Sequence, residues 1–397
     1  MKKKADNIVF LSEEVNIRAG GPSGYIANLE YAIENSHIPN NIVFISATVF
    51  ERQIKRIAFV GRMLCFWFPV KRIRHAMRQN VIKYLSNKLF AKQLDKYDFK
   101  TVTVHSIYDV LFMKKYLESR GMSAKILQMS HSPQPPSEEM YERDMAGGIE
   151  NAQERYAEAQ RVERMAFDAS DMYIFPSPES VECYSGALSY FNELCKTHPI
   201  KYVRTGCRAL QTDKTRDEIR GKYNIKTPFV ITYIGRHNEI KGYDILKFVA
   251  MKILEKRDDV TFLIGGRLGG IQPLNHPRWI ELGQINPAEV LAATDVFILP
   301  NRQTYFDLIM LEVLSTGTPV VASKTGGNKT VYSDTGVISL YTGIDDCVNK
   351  TLQILDLPKS KIAKMRAEIK KSYLDNYSLK CFAANYINMI KEVCDEQ

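Results

Sequence analysis

No stretch of this sequence approaches the roughly 20 consecutive apolar residues that a membrane-spanning helix needs. The apolar run after the basic start, Ile8 to Leu11, is too short for the core of a signal peptide. The cysteines, Cys65, Cys183, Cys195, Cys207, Cys347, Cys381 and Cys394, are odd in number and scattered, with no Cys-x-x-Cys pair. Neither a disulfide framework nor a zinc site is indicated, and a reducing cytoplasm fits. Asp-x-Asp and any cluster of His with carboxylates are missing too, so no metal is expected. Low-complexity segments are absent, and no nucleic-acid-binding motif accompanies the basic residues, so nucleic acid is not an expected partner.

What is present is apolar material for one or two sizeable cores: 397 residues, 45% hydrophobic, with a net charge of +9. Strands are predicted at Asn7 to Leu11, Lys100 to Val104, Lys125 to Met129, Tyr173 to Phe175, Phe229 to Ile234, Val260 to Ile264 and Val296 to Leu299. After the first comes Arg18-Ala19-Gly20-Gly21-Pro22-Ser23-Gly24, then a helix from Tyr25 to about Glu34. Gly20, Gly21 and Gly24 allow a tight turn, and the helix behind them presents free N–H groups to an anion. Many α/β proteins use such a turn for its geometry alone.

Charge is unevenly placed. Residues 50–98 hold twelve Lys and Arg against Glu51, Asp95 and Asp98, interleaved with Phe59, Phe66, Trp67 and Phe68. From Ile73 the apolar positions Met77, Val81, Leu85 and Leu89 recur at four, giving one stripe with cations on the other faces. Such a helix can lie on an anionic membrane, hold an acceptor carrying a lipid diphosphate, or pack on its own domain with solvated lysines. His105 and His131 each follow a predicted strand, where ligands of open α/β sheets gather. The Pro-rich segment 133–136 and the acids Glu138, Glu139, Glu142 and Asp144 are expected to form a loop, and the boundary between domains is expected near residues 200–228, where polar residues 211–227 lie.

Two later stretches carry most of the chemistry. In Gly235-Arg236-His237-Asn238-Glu239-Ile240-Lys241-Gly242 a planar guanidinium and a compact ammonium lie five residues apart on one strand-to-helix loop. Together they can share the oxygens of a diphosphate. Leu299 to Gly327 reads as a polar loop, a helix from Leu308 to Thr316 and a strand at Pro319 to Ala322. That helix is apolar almost all round yet carries Glu312, and a buried carboxylate needs partners, either a core cation or a ligand.

These residues resemble the retaining family 4 glycosyltransferases of the GT-B fold. Glu312, Gly317, Thr318, Pro319, Val320, Gly326 and Gly327 stand where that family has a Glu, a Gly-x-Pro-Val strand and a Gly-Gly turn, and Arg236 with Lys241 matches its pyrophosphate clamp. The resemblance implies an α/β protein of two Rossmann-like domains facing across a cleft. Residues 1–205 with 378–397 would bind the acceptor and 206–377 the nucleotide sugar, the final helix crossing back to the first domain. Arg236, Lys241 and His131 would act in catalysis, His131 near the donor sugar. Gly20 and Gly21 would face the diphosphate, Gly265 would border the nucleotide, Ile285 would lie in the loop that touches the base, and Glu312 would accept from the ribose hydroxyls. Thr304, Phe306, Asp307 and Leu308 would form the sugar pocket.

The implied reaction moves a hexose from a nucleotide-diphosphate sugar, UDP ahead of GDP and with no further cofactor, to a glycan or lipid-linked acceptor. Anomeric configuration would be retained through front-face attack with the leaving phosphate as base. The setting would be polysaccharide or glycan assembly in the cytoplasm, peripheral to the membrane through residues 50–98. Two positions depart from the pattern. Thr304 replaces the first Glu, and Asp307 stands where Gly is usual, either taking over the sugar contact or, more commonly for an Asp before an apolar helix, capping it. An active transferase with an altered sugar pocket and an inactive GT-B scaffold supporting a partner enzyme are both compatible with this, whereas a sugar-nucleotide epimerase lacks its acids.

Overall fold

The computed structural model describes residues 2–16, 21–64 and 71–396, with the backbone alone for residues 51, 61, 62, 64 and 71–76. It contains two six-stranded parallel sheets. The first comprises β1 (Lys3–Leu11), β2 (Ile42–Ser46), β3 (Tyr97–Val104), β4 (Lys125–Met129), β5 (Met172–Phe175) and β6 (Ile200–Tyr202), in the order β2-β1-β3-β4-β5-β6. The second comprises β7 (Phe229–Ile234), β8 (Val260–Gly265), β9 (Trp279–Gly283), β10 (Val296–Leu299), β11 (Val320–Ser323) and β12 (Ser339–Tyr341), in the order β12-β11-β10-β7-β8-β9. Parallel pairing requires crossover helices, which bury both faces of the central strands. Hence every residue of β8 and β10 is buried, and β10 reads as an unbroken apolar run while β8 is broken only by the buried Thr261.

Each winding reverses once. The chain leaves β1 for β2 on one side and reaches β3 on the other, and β7 is flanked likewise by β8 and β10. At such reversals the crossing helices diverge and open a crevice beyond the carboxyl ends of the strands. The loops after β1, β3, β7 and β10 therefore face ligand space in both domains.

The last helix, Leu379–Asp395, packs Phe382, Tyr386, Ile387 and Ile390 against Val9, Leu29 and Leu127 of the first domain. Its Tyr386 hydroxyl lies 2.8 Å from Thr103 Oγ1 and 3.1 Å from Asn7 Oδ1. The chain's end thus returns to the sheet where it began. The domains also share one apolar cluster, with Phe175, Tyr184 and Phe191 of the first against Tyr305, Phe306 and Met310 of the second. At its edge Ser180 Oγ donates to the Tyr305 carbonyl at 2.7 Å, and Arg204 pairs with Asp334 at 2.7 Å.

One sequence expectation is corrected. The acidic segment after the prolines is a helix, Pro136–Ala146, and not a loop. Pro136 sits in its first turn, where its missing N–H forfeits no bond, and Glu138 and Glu139 suit the positive end. The basic segment forms helices Glu51–Leu64 and Lys71–Leu94. Met77, Val81, Leu85 and Leu89 are half-buried, and Phe90 and Leu94 lie in the core with Phe10, so the stripe serves this domain. Lys83, Lys88 and Lys92 stay exposed, while Phe66, Trp67 and Phe68 lie outside the described residues. No described helix is long and apolar enough to cross a membrane.

Candidate active site

The second domain supplies most of the site. After β7 the backbone turns at Gly235, and a Cβ on Gly266 would come within 1.9 Å of the Gly235 carbonyl oxygen, so the two loops close on each other without side chains. Gly242, with φ of +66°, brings the next turn against Pro300, where a Cβ would lie 1.8 Å from the carbonyl oxygen. This contact docks the β7 loop on the β10 loop and aims Lys241 at Asp307. Lys241 Nζ lies 2.5 and 2.7 Å from the two carboxylate oxygens, and Asn301 Nδ2 donates to Oδ2 at 2.5 Å. Burial alone would raise the Asp307 pKa. The Lys241 charge, together with the hydrogen bonds from Lys241 and Asn301, outweighs it and holds the carboxyl below its usual range.

Asp307 occupies the N-cap position of helix Leu308–Thr316 but makes no side-chain capping bond. The capping expectation is therefore corrected: the carboxylate is already engaged by Lys241 and Asn301. The first helical residues, Leu308 and Ile309, line the cleft, and Glu312 follows one turn later on the same wall. Glu312 has no hydrogen-bond or ionic partner for its carboxylate among the described residues, and burial pushes its pKa up to about 7. Of the two readings of this acid, a core ion pair is not what the structure holds.

In the first domain, helix Gly21–Glu34 begins in the loop after β1, with Gly21 at φ of +65°. Gly21, Tyr25 and Asn28 face the cleft, as does His131 beyond β4. Gly20 and Arg18 lie outside the described residues. His131 Nε2 is 2.7 Å from His105 Nδ1, and burial pushes the His131 pKa down to about 3, so both rings are neutral near pH 7.

Between these walls is a cavity of about 1040 Å³, large enough for a nucleotide-sized ligand. It gathers Gly21, His131, Lys241, Ile285, Phe306, Asp307, Leu308 and Glu312. Arg236 is not among the lining residues; its side chain is exposed, 3.6 Å from Glu139 of the opposite domain. Two further sequence candidates also lie off the cavity wall. Thr304 is 1% exposed because residues 304–306 are pressed beneath the interdomain contact: Cys183 Sγ reaches the Thr304 carbonyl at 3.5 Å, and Gly326 is packed on it. Gly265 lies behind Ile285, whose Cδ1 would be 2.6 Å from an added Cβ.

Arg208 is a cavity-lining cation that sequence reasoning missed. Its guanidinium sits 3.9 Å from the Tyr31 ring centroid, and its Nε is buried without a partner. It comes from the segment joining the sheets, where no strand end or glycine pattern marks it. The only available signal was a lone Arg two residues after Gly206 in the predicted boundary.

Comparison with known proteins agrees with this geometry. Residues 228–356 match the family described as Glycosyl transferases group 1. A D-inositol 3-phosphate glycosyltransferase of Segniliparus rotundus is 28% identical over 120 residues, covering 26% of this chain and 27% of that protein. The chain spans less than half the length of the curated relatives it matches. Among solved structures, a sucrose-phosphate synthase from Thermosynechococcus elongatus superposes with a TM-score of 0.62 at 15% identity, covering 100% of both chains. HepE of Anabaena in complex with UDP-glucose superposes at 0.62 and 12% identity, covering 98% of this chain and 100% of that one. The fold is that of these GT-B structures, and the matches support a glycosyltransferase family for the chain.

Proposed function

We propose that this protein is a glycosyltransferase that takes a sugar from a nucleoside diphosphate held between its domains and passes it to a glycan or lipid-linked acceptor. The observation that carries the reading is Glu312. An unpartnered carboxylate on a cavity wall, one turn inside a helix whose N-terminus faces the same cavity, is arranged to accept two hydroxyl hydrogens of a ribose while the free N–H groups meet phosphate. As the glycosidic bond lengthens, charge develops on the diphosphate. Lys241 and Arg236, with the helix ends at Gly21 and Leu308, would neutralise it, and this fixed positive field would supply much of the rate. The mechanism we propose retains configuration, the leaving phosphate taking the acceptor's proton, and needs no metal. UDP is the preferred nucleotide, since the HepE complex holds a UDP-sugar in the same fold.

A second reading is favoured by two specific features: Lys241 is already neutralised by Asp307, and the family's sugar-binding Glu is replaced by the buried Thr304. A binding or scaffold subunit would show this pattern. Nucleotide release measured with a panel of UDP- and GDP-sugars, with and without lipid-linked acceptors, separates the two. Release that Lys241→Ala abolishes supports the transferase. Nucleotide binding without release from any donor supports the scaffold.

A further inference from the structure

β3 and β4 are neighbours, with Val104 opposite Gln128, so the residues just past their ends meet in one corner of the cleft. There the rings of His105 and His131 stack with centroids 5.0 Å apart and planes inclined by 26°. Tyr25 closes the other side at 4.7 Å from the His131 ring, with Phe382 behind it. His105 is 5% exposed, and its Nε2 is buried with no hydrogen-bond partner. His131 lines the cavity, and its Nδ1 has no protein partner among the described residues.

The 2.7 Å contact joins Nδ1 of His105 to Nε2 of His131, so one ring donates and the other accepts. If His131 donated, His105 would accept at Nδ1 and, being neutral, would carry its proton on Nε2. That would leave an N–H buried in a place without an acceptor. If His105 donates, its Nε2 holds only a lone pair, and an unsatisfied acceptor is better tolerated in protein interiors than an unsatisfied N–H. Burial disfavours charge on either ring, which removes the doubly protonated alternative. His131 therefore accepts at Nε2, and its own proton resides on Nδ1.

We propose that His105 is a positioning residue that holds His131 in the Nδ1–H tautomer, so that His131 offers the cleft a hydrogen-bond donor and not a base. Its target is an oxygen of the bound ligand, a hydroxyl of the transferred sugar if the function proposed above holds. The tautomer itself does not depend on that reading. A His131 set up as a donor can orient the sugar ring but cannot take the acceptor's proton, which leaves that proton to the departing phosphate.

The test is a long-range proton–nitrogen correlation spectrum of the full chain carrying 15N-histidine, recorded at about pH 8 where both rings are neutral. His131→Gln assigns the His131 signals. The expected wild-type pattern has both rings protonated at Nδ1. His105→Asn, whose amide N–H stands in for Nδ1, keeps His131 in that form. His105→Leu removes the donor and returns His131 toward the Nε2–H form that free imidazole favours. A wild-type His131 protonated at Nε2 overturns the proposal, and so does an unchanged His131 in His105→Leu. Should the Leu variant fail to fold, the wild-type and Asn spectra still decide.

Calorimetric titration gives a second readout. His105→Leu should bind UDP-glucose about three- to tenfold more weakly, with His105→Asn restoring affinity and UDP alone bound equally by all three. Equal affinity for UDP-glucose across the variants removes His105 from ligand recognition. If the wild type binds none of the UDP- and GDP-sugars of the panel, the proposed function fails while the spectrum still settles the tautomer.

Discussion

Replacing Asp307 with Asn should tighten the binding of UDP. The substitution keeps the shape of the side chain but removes the charge that now occupies Lys241 with both oxygens, at 2.5 and 2.7 Å. A diphosphate entering the wild-type cleft must compete with that carboxylate for the ammonium and also feels its repulsion. At a separation of about 6 Å and an effective dielectric of about 20, one unit of like charge costs about 3 kcal/mol. Water and salt in an open cleft reduce this to about 1–2 kcal/mol, or roughly a five- to thirtyfold change in Kd. Titration calorimetry with UDP, with UMP as control, reads the effect directly: UDP gains, UMP gains less, and the difference shrinks as salt is raised. Unchanged or weaker UDP binding would refute the idea that Lys241 is a diphosphate clamp held in check by Asp307.

The same variant makes a claim about stability. Both side chains are largely buried, 15% and 19% exposed, so leaving the ammonium without its partner should cost about 1–3 kcal/mol at neutral pH. Because the folded-state pKa of Asp307 lies below its ordinary value of 3.8, its stabilising contribution is present above that value and is lost as pH falls through the folded pKa. Melting curves of wild type and Asp307→Asn should therefore converge in acid.

Glu312→Gln is expected to act in the opposite sense. Its folded pKa is raised from 4.5 to about 7, so ionising it in the folded chain costs stability that accumulates between those values. The Gln variant should be more stable by about 3 kcal/mol at about pH 8 and little changed at about pH 4, as judged by denaturant unfolding. Nucleotide affinity in the wild type should rise from about pH 6 to 8 as the better acceptor forms, and the variant should bind weakly with a flat profile. Arg236→Ala removes only an exposed pair 3.6 Å long, so the melting temperature should move by about 1 °C or less, while turnover falls about a hundredfold if Arg236 meets the leaving diphosphate. Gly242→Ala forces a Cβ into the Pro300 carbonyl oxygen and should cost at least about 2 kcal/mol in chemical denaturation. Gly21→Ala meets no atom within 4 Å and should cost only about 1 kcal/mol, from its positive φ alone.

Much of this arrangement is legible along the chain because the information is local. Unbroken apolar runs such as Val296–Leu299 mark strands buried on both faces, glycines on either side of Arg236 and Lys241 mark a loop that closes on its neighbour, and an acid in an otherwise apolar helix marks Glu312 as exceptional. The helix at Pro136–Ala146 escaped because proline reads as a breaker unless its place in the first turn is known. His105 and His131 were each visible as residues at a strand end. Their pairing was not, since only the placement of β3 beside β4 puts the two rings in contact.

Composition and pattern settled the α/β class and pointed to strand ends and to the side-chain chemistry of the candidate site, because periodicity, glycine and proline act over a few residues at a time. Tertiary structure decided which charges meet. It gave Lys241 to Asp307, left Glu312 unpaired, brought Arg208 to the cavity and buried Thr304 beneath the interdomain contact. Those outcomes depend on how strands and helices far apart in the chain are ordered and packed, and electrostatic energy is set by distances across that packing, not by spacing along the chain.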